Sequence, residues 1–422
     1  MSFTVVRDPV LGEAVWLAQT ARGLPLRVVP AERFREAAAV VTFRYGSVDL
    51  AFSDAAGAHT SPEGVAHYLE HKLFEDEAIQ AFDRFGRRGA KVNAMTGFAR
   101  TTYYFTCAER FAENLQDLLH LVSRAHITPE NVAKERGIIA QELRMYEDSP
   151  DYRAFYDLLG ALYAVHPVRH PVGGTVESIG RITAEELLRC YAAFYRTGNA
   201  SLAVAGPVDP EQVLALAEAA QLAAGPAIPG TAPADTARPP APRFERRGRV
   251  ARARALLGCK ERSLIADPAA RLERDLVTRI LLDLWFGAAS PVREALRREG
   301  VADDSLSASY VADRGFGCAV LGGEADDPER LLAALRAVVA RPVAVAEHDL
   351  ERVRRKFLGG FVRGLEAVRS LAFAHAQEAG DGLPPFSVFQ RMAAVSLEAV
   401  RARQRELFVP EAMAEALLLP GG

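Results

Sequence analysis

The chain has 422 residues, of which 49% are hydrophobic and 25% charged, the balance of a soluble globular protein with room for two or three domains. A formal net charge of -3 with no Lys/Arg-rich block excludes a nucleic-acid binder, and no stretch approaches the roughly 20 apolar residues that a membrane span needs. Cys107, Cys190, Cys259 and Cys318 form no CxxC pair, so neither a disulfide framework nor a cysteine zinc site is expected. Free thiols, and an N-terminus without a basic region leading into an apolar run, give the expectation of a cytoplasmic protein.

Strand-like residues 40–45 open the chemistry-bearing part of the chain. Residues 61–76 read SPEGVAHYLEHKLFED. Ser61 is expected as an N-cap and Pro62 as the first helical residue, with Val65, Leu69 and Leu73 forming an apolar stripe at helical spacing. On such a helix His67 and His71 lie about 40° apart around the axis, and Glu70 about 60° from His67. Two imidazoles so placed can grip one metal ion, and a carboxylate beside them can take a proton from water held there. A histidine on a half-buried helix is more often structural, so the motif asks for a third ligand.

Residues 101–106 look like one arm of a hairpin, and 128–148, TPENVAKERGIIAQELRMYED, form the next expected helix, capped by Thr128 and started by Pro129. Glu135 and Glu142 are two turns apart on one face, and Ile138 and Ile139 between them imply that this face is partly buried. Two half-buried carboxylates without a partner raise one another's pKa. A metal shared with the histidines removes that cost, which makes Glu142 the candidate third ligand.

Thr183 and Glu186 have capping-box spacing at the start of another helix, followed by an apolar strand at 201–206. Residues 223–242, AAGPAIPGTAPADTARPPAP, carry almost no large apolar side chains and are read as a linker between a first half, 1–222, and a second, 243–422. A helix opening at 395–400 and an apolar run at 413–419 echo the end of the first half, and strand-like 251–259 echoes its beginning, which suggests an internal duplication. The expected fold is α+β: two homologous halves, each a mainly antiparallel sheet covered by helices on one side.

HYLEH, followed downstream by ERGIIAQELRMYED, resembles the insulinase/pitrilysin metallopeptidases, the inverzincins, whose members of similar size include mitochondrial processing peptidase subunits and their bacterial counterparts. The resemblance implies one Zn2+ per chain held by His67, His71 and Glu142, with Glu70 as the base that activates zinc-bound water and Glu135 supporting the ligands from behind. Residues 89–96 resemble the segment whose edge strand receives substrate, so Asn93, Ala94 and Met95 are expected to add an extended peptide or unfolded segment as a further strand. His166-Pro167 and Gly173-Gly174-Thr175 resemble a family turn and are read as structural.

The alternative is a non-catalytic structural or substrate-presenting subunit. Such members usually lose the HxxEH residues, and all are intact here. Self-sufficient relatives also carry, in a later half, an arginine with a tyrosine seven residues on, which steadies the oxyanion. In 293–310, REALRREGVADDSLSASY, the positions seven beyond Arg293, Arg297 and Arg298 are Gly300, Asp304 and Ser305, and Tyr310 is too distant. The expected working form is a heterodimer with a homologous subunit that lacks HxxEH and supplies Arg and Tyr. A homodimer, or a monomer using Tyr310 or Tyr104, is the alternative.

Overall fold

The structure, a computed structural model, describes residues 2–55, 57–75, 80–341 and 344–421; Asp76, which closes the motif segment, lies outside them. The chain forms two compact units. The first comprises Met1–Leu143, Pro171–Ala232 and Phe361–Ser387, the second Arg144–His170, Pro233–Gly360 and Val388–Gly422.

The main sheet of the first unit contains β1 (Thr4–Asp8), β2 (Glu13–Gln19), β3 (Pro25–Pro30), β4 (Ala37–Phe43), β5 (Lys91–Thr96), β6 (Thr101–Cys107) and β7 (Ala200–Gly206). Their order is β1-β2-β3-β7-β4-β6-β5, with β3 and β7 parallel and all other neighbours antiparallel. The sequences AAAVVTF of β4 and ASLAVAG of β7 have almost no polar residues, and both strands are buried along their whole length at the centre of the sheet. KVNAMT of β5 alternates exposed and half-buried positions, as an edge strand does.

The sheet of the second unit contains β8 (Arg243–Gly248), β9 (Ala253–Lys260), β10 (Ser307–Asp313), β11 (Phe316–Ala325) and β12 (Met413–Pro420), in the order β8-β12-β9-β11-β10. Here β8 and β12 are parallel and the remaining pairs antiparallel. Strand for strand, in chain order and in pairing sense, this repeats β3-β7-β4-β6-β5. The duplication expected from the sequence is therefore present in the topology.

Five helices matter most: α1 (Val65–Leu73), α2 (Pro129–Glu147), α3 (Pro150–Leu162), α4 (Glu347–Gly364) and α5 (Val368–Gly380). The pair α4–α5 is the counterpart of α2–α3 in the duplicated scheme. The second helix of each pair is exchanged. In the first unit, α5 packs on β3, β4 and β7, with Leu371, Ala372 and Ala376 meeting Val29, Ala38, Val40, Ala203 and Ala205. In the second unit, α3 packs on β9 and β12, and Leu158 and Leu162 fill the space above Gly258, where a Cβ would lie 2.7 Å from Leu162.

Each sheet is thus covered on both faces, which corrects the expectation of helices on one side only. The alternation along β4 shows why. Ala39 and Val41 enter one apolar core while Ala38 and Val40 enter another, so both faces must be closed against water.

Polar contacts fasten the exchanged parts. In the first unit Arg27 and Glu378 form an ion pair at 3.3 Å with side chains 9% and 3% exposed. Glu378 also accepts the Phe386 N–H at 3.0 Å, and Arg27 donates to the Leu383 carbonyl. The Pro/Ala-rich stretch 223–242 is divided between the units: Ala223–Pro226 pairs in parallel with Arg196–Gly198 in the first. In the second, Asp235 accepts the N–H groups of Ala164, Val165 and His166 at 3.2, 2.8 and 2.8 Å and meets Lys260 Nζ at 2.8 Å. Among the described residues, no helix is long and apolar enough to cross a membrane.

Candidate metal centre

The motif helix starts later than its cap residues suggest. α1 begins at Val65, and Gly64 precedes it with φ 88°, left-handed backbone that favours glycine. A Cβ at Gly64 would also lie 2.3 Å from the Gly173 carbonyl oxygen. Ser61 does not cap; its hydroxyl bonds the Glu186 carboxylate and lies 3.3 Å from Cys190 Sγ. Beyond that start the periodic reading holds: Val65, Leu69 and Leu73 are buried, and the opposite face carries the histidines.

Helix α2 starts as expected, with Thr128 Oγ1 accepting the Asn131 N–H at 3.2 Å and Asn131 Oδ1 accepting the Thr128 N–H at 2.9 Å. It buries Val132, Ile139 and Leu143. The buried Tyr68 of α1 donates to the Val132 carbonyl and ties the two helices together.

This packing brings His67, His71 and Glu142 to one point, their nearest ligand atoms all within 4.8 Å of one another. Glu142 Oε2 lies 3.8 Å from His67 Nε2 and 3.3 Å from His71 Nε2. The other nitrogen of His71, Nδ1, meets Glu135 Oε1 at 2.9 Å. That contact fixes a proton on Nδ1 and aims Nε2 at Glu142. His67 Nδ1 is buried with no hydrogen-bond partner.

Burial, with the His71 charge beside it, pushes His67 down to about 4. Burial also opposes charge on His71, but hydrogen bonds to Glu135 and Glu142 outweigh it and lift that ring to about 9. Two nitrogens and one oxygen converging on a point, one histidine braced from behind by a carboxylate, fit a zinc ion with an open fourth position. Among the described residues, no other three His, Cys, Asp or Glu side chains converge in this way.

Glu70 is 9% exposed, and burial raises its carboxyl above the usual range. The Thr96 hydroxyl donates to its Oε2 at 2.5 Å and partly offsets that rise. Thr96 ends β5, the outermost strand of its sheet, which among the described residues pairs only with β6. Asn93, Ala94 and Met95 lie on that free edge. Met95 is 52% exposed, and Asn93 Oδ1 accepts the exposed Ala94 N–H at 2.8 Å. No sequence signal pointed to Thr96, because a threonine near the end of a strand is ordinary until the partner helix is placed.

In the stretch 293–310, Arg293 and Tyr310 are both engaged within their own unit. Arg293 donates to the carbonyls of Phe286, Leu306 and Asp304, and Tyr310 is buried and donates to Glu261 at 2.7 Å. Tyr104 packs edge-on against Phe373, ring centroids 4.9 Å apart. His166 caps the short 3-10 turn Pro167–Arg169, its Nδ1 accepting the Val168 N–H, and Gly174 has φ 74°, so both turn signals are structural.

A duplicated α+β chain whose first unit sets an inverted HxxEH helix against a downstream glutamate has the architecture of a two-unit inverzincin. Residues 56–176 match the family described as Insulinase (Peptidase family M16), and residues 181–357 match the Peptidase M16 inactive domain. The chain is 32% identical over 408 residues to the uncharacterized zinc protease YmfH of Bacillus subtilis, with 93% of each chain covered. It is similar to the crystal structure of a putative M16-like peptidase from Alicyclobacillus acidocaldarius, at TM-score 0.91 and 34% identity over 99% of this chain and 100% of that one. A protease from Helicobacter pylori shares the fold at TM-score 0.82 and 18% identity, covering 96% and 99% of the two chains. The chain belongs to the insulinase family, peptidase family M16.

Proposed function

We propose that the chain is a zinc-dependent endopeptidase, with His67, His71 and Glu142 holding one Zn2+ and Glu70 acting as the base. The observation that carries this reading is the convergence of the three donor side chains from two helices, with a buried carboxylate next to them on the same helix. Zinc, when bound, supplies a Lewis acid that polarises a carbonyl and makes water acidic enough to yield a nucleophile near neutral pH. Glu70 takes the proton from that water and passes it to the leaving amine. Thr96 engages Oε2, which leaves Oε1 to carry the proton. Glu135 holds the His71 ring in the ligating tautomer.

The edge of β5 receives the substrate as an added antiparallel strand. Backbone hydrogen bonding of this kind makes little demand on sequence and favours extended peptides or unfolded segments. Asn93 must release the Ala94 N–H to admit a partner there. With Arg293 and Tyr310 committed elsewhere, the working enzyme is a heterodimer whose homologous subunit lacks HxxEH and brings an Arg/Tyr pair. Four buried free cysteines suit the cytoplasm.

Elemental analysis together with a peptide-cleavage assay tests the reading. Glu70→Gln should keep its zinc and lose activity by at least about a hundredfold, the scale of general-base loss. Full zinc occupancy in His71→Ala would show the ligand assignment to be wrong. No peptide cleavage by the parent chain, alone or with a homologous partner, would favour the non-catalytic subunit.

A further inference from the structure

The two histidines are held in different ways. His71 leans on Glu135 through Nδ1 at 2.9 Å, whereas His67 Nδ1 is buried with no hydrogen-bond partner. What lies against His67 is the turn at 171–174. A Cβ built on Gly173 would sit 3.4 Å from His67 Nδ1 and 2.6 Å from Leu143 Cδ2. Leu143 is the buried neighbour of Glu142 on α2. Gly173 therefore occupies the space between a side chain of α1 and a side chain of α2, beside the ligands those helices carry.

The two glycines of this turn answer to different demands. Gly174 has φ 74°, a backbone conformation that favours glycine. Gly173 has no such φ, so a side chain there meets a lack of room and not left-handed strain. The turn cannot retreat to make that room. The Gly174 N–H bonds the Pro171 carbonyl at 2.9 Å, and Thr175 and Ser178 form a capping box on the short helix Val176–Gly180 that follows. Ser178 Oγ donates to the Glu63 carbonyl at 2.8 Å, and the Gly173 carbonyl oxygen is pressed against Gly64, where a Cβ would lie 2.3 Å from it. A side chain at 173 thus displaces Leu143, and with it the stretch of α2 that carries Glu142, because a close-packed core leaves the Leu143 methyl groups nowhere else to go.

We propose that Gly173 is a positioning residue of the metal centre: its missing side chain sets how closely α2 approaches α1, and so the gap between His67 and Glu142. The donors around a tetrahedral zinc ion stand about 3.4 Å apart. Glu142 Oε2 is 3.3 Å from His71 Nε2 but already 3.8 Å from His67 Nε2, so any further widening is felt first at His67. This inference rests on the zinc reading for its consequence but not for its geometry.

The experiment uses the full chain in four forms: parent, Gly173→Ala, Leu143→Ala and the double variant. Chelator competition gives the zinc affinity, and the visible spectrum of the Co2+-loaded proteins reports the ligand arrangement. Crystal structures of the metal-free proteins give the His67–Glu142 distance. Gly173→Ala should weaken zinc binding by about 10-fold or more, the scale on which support from behind the ligands acts, shift the cobalt bands and lengthen the 3.8 Å distance. Leu143→Ala removes the methyl group in the way, so the double variant should bind zinc within about threefold of Leu143→Ala alone and regain its cobalt spectrum. A glycine needed only by the turn would lower the Tm of the metal-free protein and leave the affinity and spectrum of the folded molecules unchanged.

Parental affinity and spectrum in Gly173→Ala overturn the proposal, as does a weakened Gly173→Ala that Leu143→Ala does not rescue. If Gly173→Ala does not fold, the double variant decides: affinity within about threefold of Leu143→Ala upholds the steric account, and weaker binding or failure to fold overturns it. If the parent binds no zinc, the endopeptidase reading fails while the metal-free distances still decide the role of Gly173.

Discussion

His166 makes the second unit sensitive to mild acid. The ring is 1% exposed, its Nδ1 accepts the Val168 N–H at 3.1 Å, and its Nε2 is buried without a hydrogen-bond partner. Neither nitrogen can take a proton without loss. Burial lowers its pKa to about 4, with the Asp235 carboxylate favouring the charge and the Lys260 ammonium opposing it. Because the folded value lies below the unfolded one of about 6.5, the unfolded chain binds the proton first as pH falls.

The contribution is therefore intact above about pH 6.5 and drains away toward pH 4. At pH 4.5 the loss is about 2.5 kcal/mol. For a unit of this size that corresponds to a Tm lower by about 5–10 °C. His166→Gln retains an acceptor for Val168 and cannot ionise. It should unfold at nearly the same temperature at pH 7.5 and 4.5, once the shift of unrelated groups common to both proteins is subtracted. Asp235 does not confuse the comparison. Burial opposes its charge, but Lys260 and three backbone donors hold it well below the usual carboxylate range, so its stabilising effect is present above about pH 4 and is lost only below that. Equal Tm losses in parent and His166→Gln, followed by calorimetry at both pH values, would falsify this account.

Three further outcomes are expected. Glu378→Gln leaves the Arg27 guanidinium buried without its counter-charge, so it should cost about 3–5 kcal/mol and make residues 361–387 an early target of limited proteolysis; an unchanged cleavage pattern and Tm would mean that the pair does not hold α5. Peptide substrates N-methylated at alternate positions should show a raised KM if they add to the β5 edge through backbone bonds, and parental kinetics with such peptides would exclude that mode. The isolated chain should cleave unfolded peptides slowly and accelerate when a homologous Arg/Tyr-bearing subunit is added, and full turnover alone, unaltered by the partner, would rule out the heterodimer.

Much of this molecule can be read from local pattern. Apolar runs at matching places in the two halves point to the duplication, while the order of the strands is seen only in the structure. The meeting of His67, His71 and Glu142 follows from helical spacing plus one assumption about which helices pack. The start of α1 is not legible, because Ser61-Pro62 is a good helix opening in isolation, and only the approach of Gly173 to Gly64 shows that the chain must first turn. Thr96 is silent for the same reason: a threonine acquires meaning from what lies against it. Helices α3 and α5 show that one face of each is buried, but periodicity does not say against which sheet, so the exchange is invisible in the sequence.

That exchange bears on how the protein is made. The sheet carrying the metal centre needs α5, which is encoded after most of the second unit. As the chain leaves the ribosome, Val29, Ala38, Val40, Ala203 and Ala205 form a greasy wall with nothing to lean on until residues up to 387 have emerged. The first half is thus an unfinished object for most of its synthesis, exposed to chaperones and to mispairing with another nascent copy that could lend the same helix. Splitting the gene at 223–242 would make that interval permanent, and the two fragments should persist only when co-expressed.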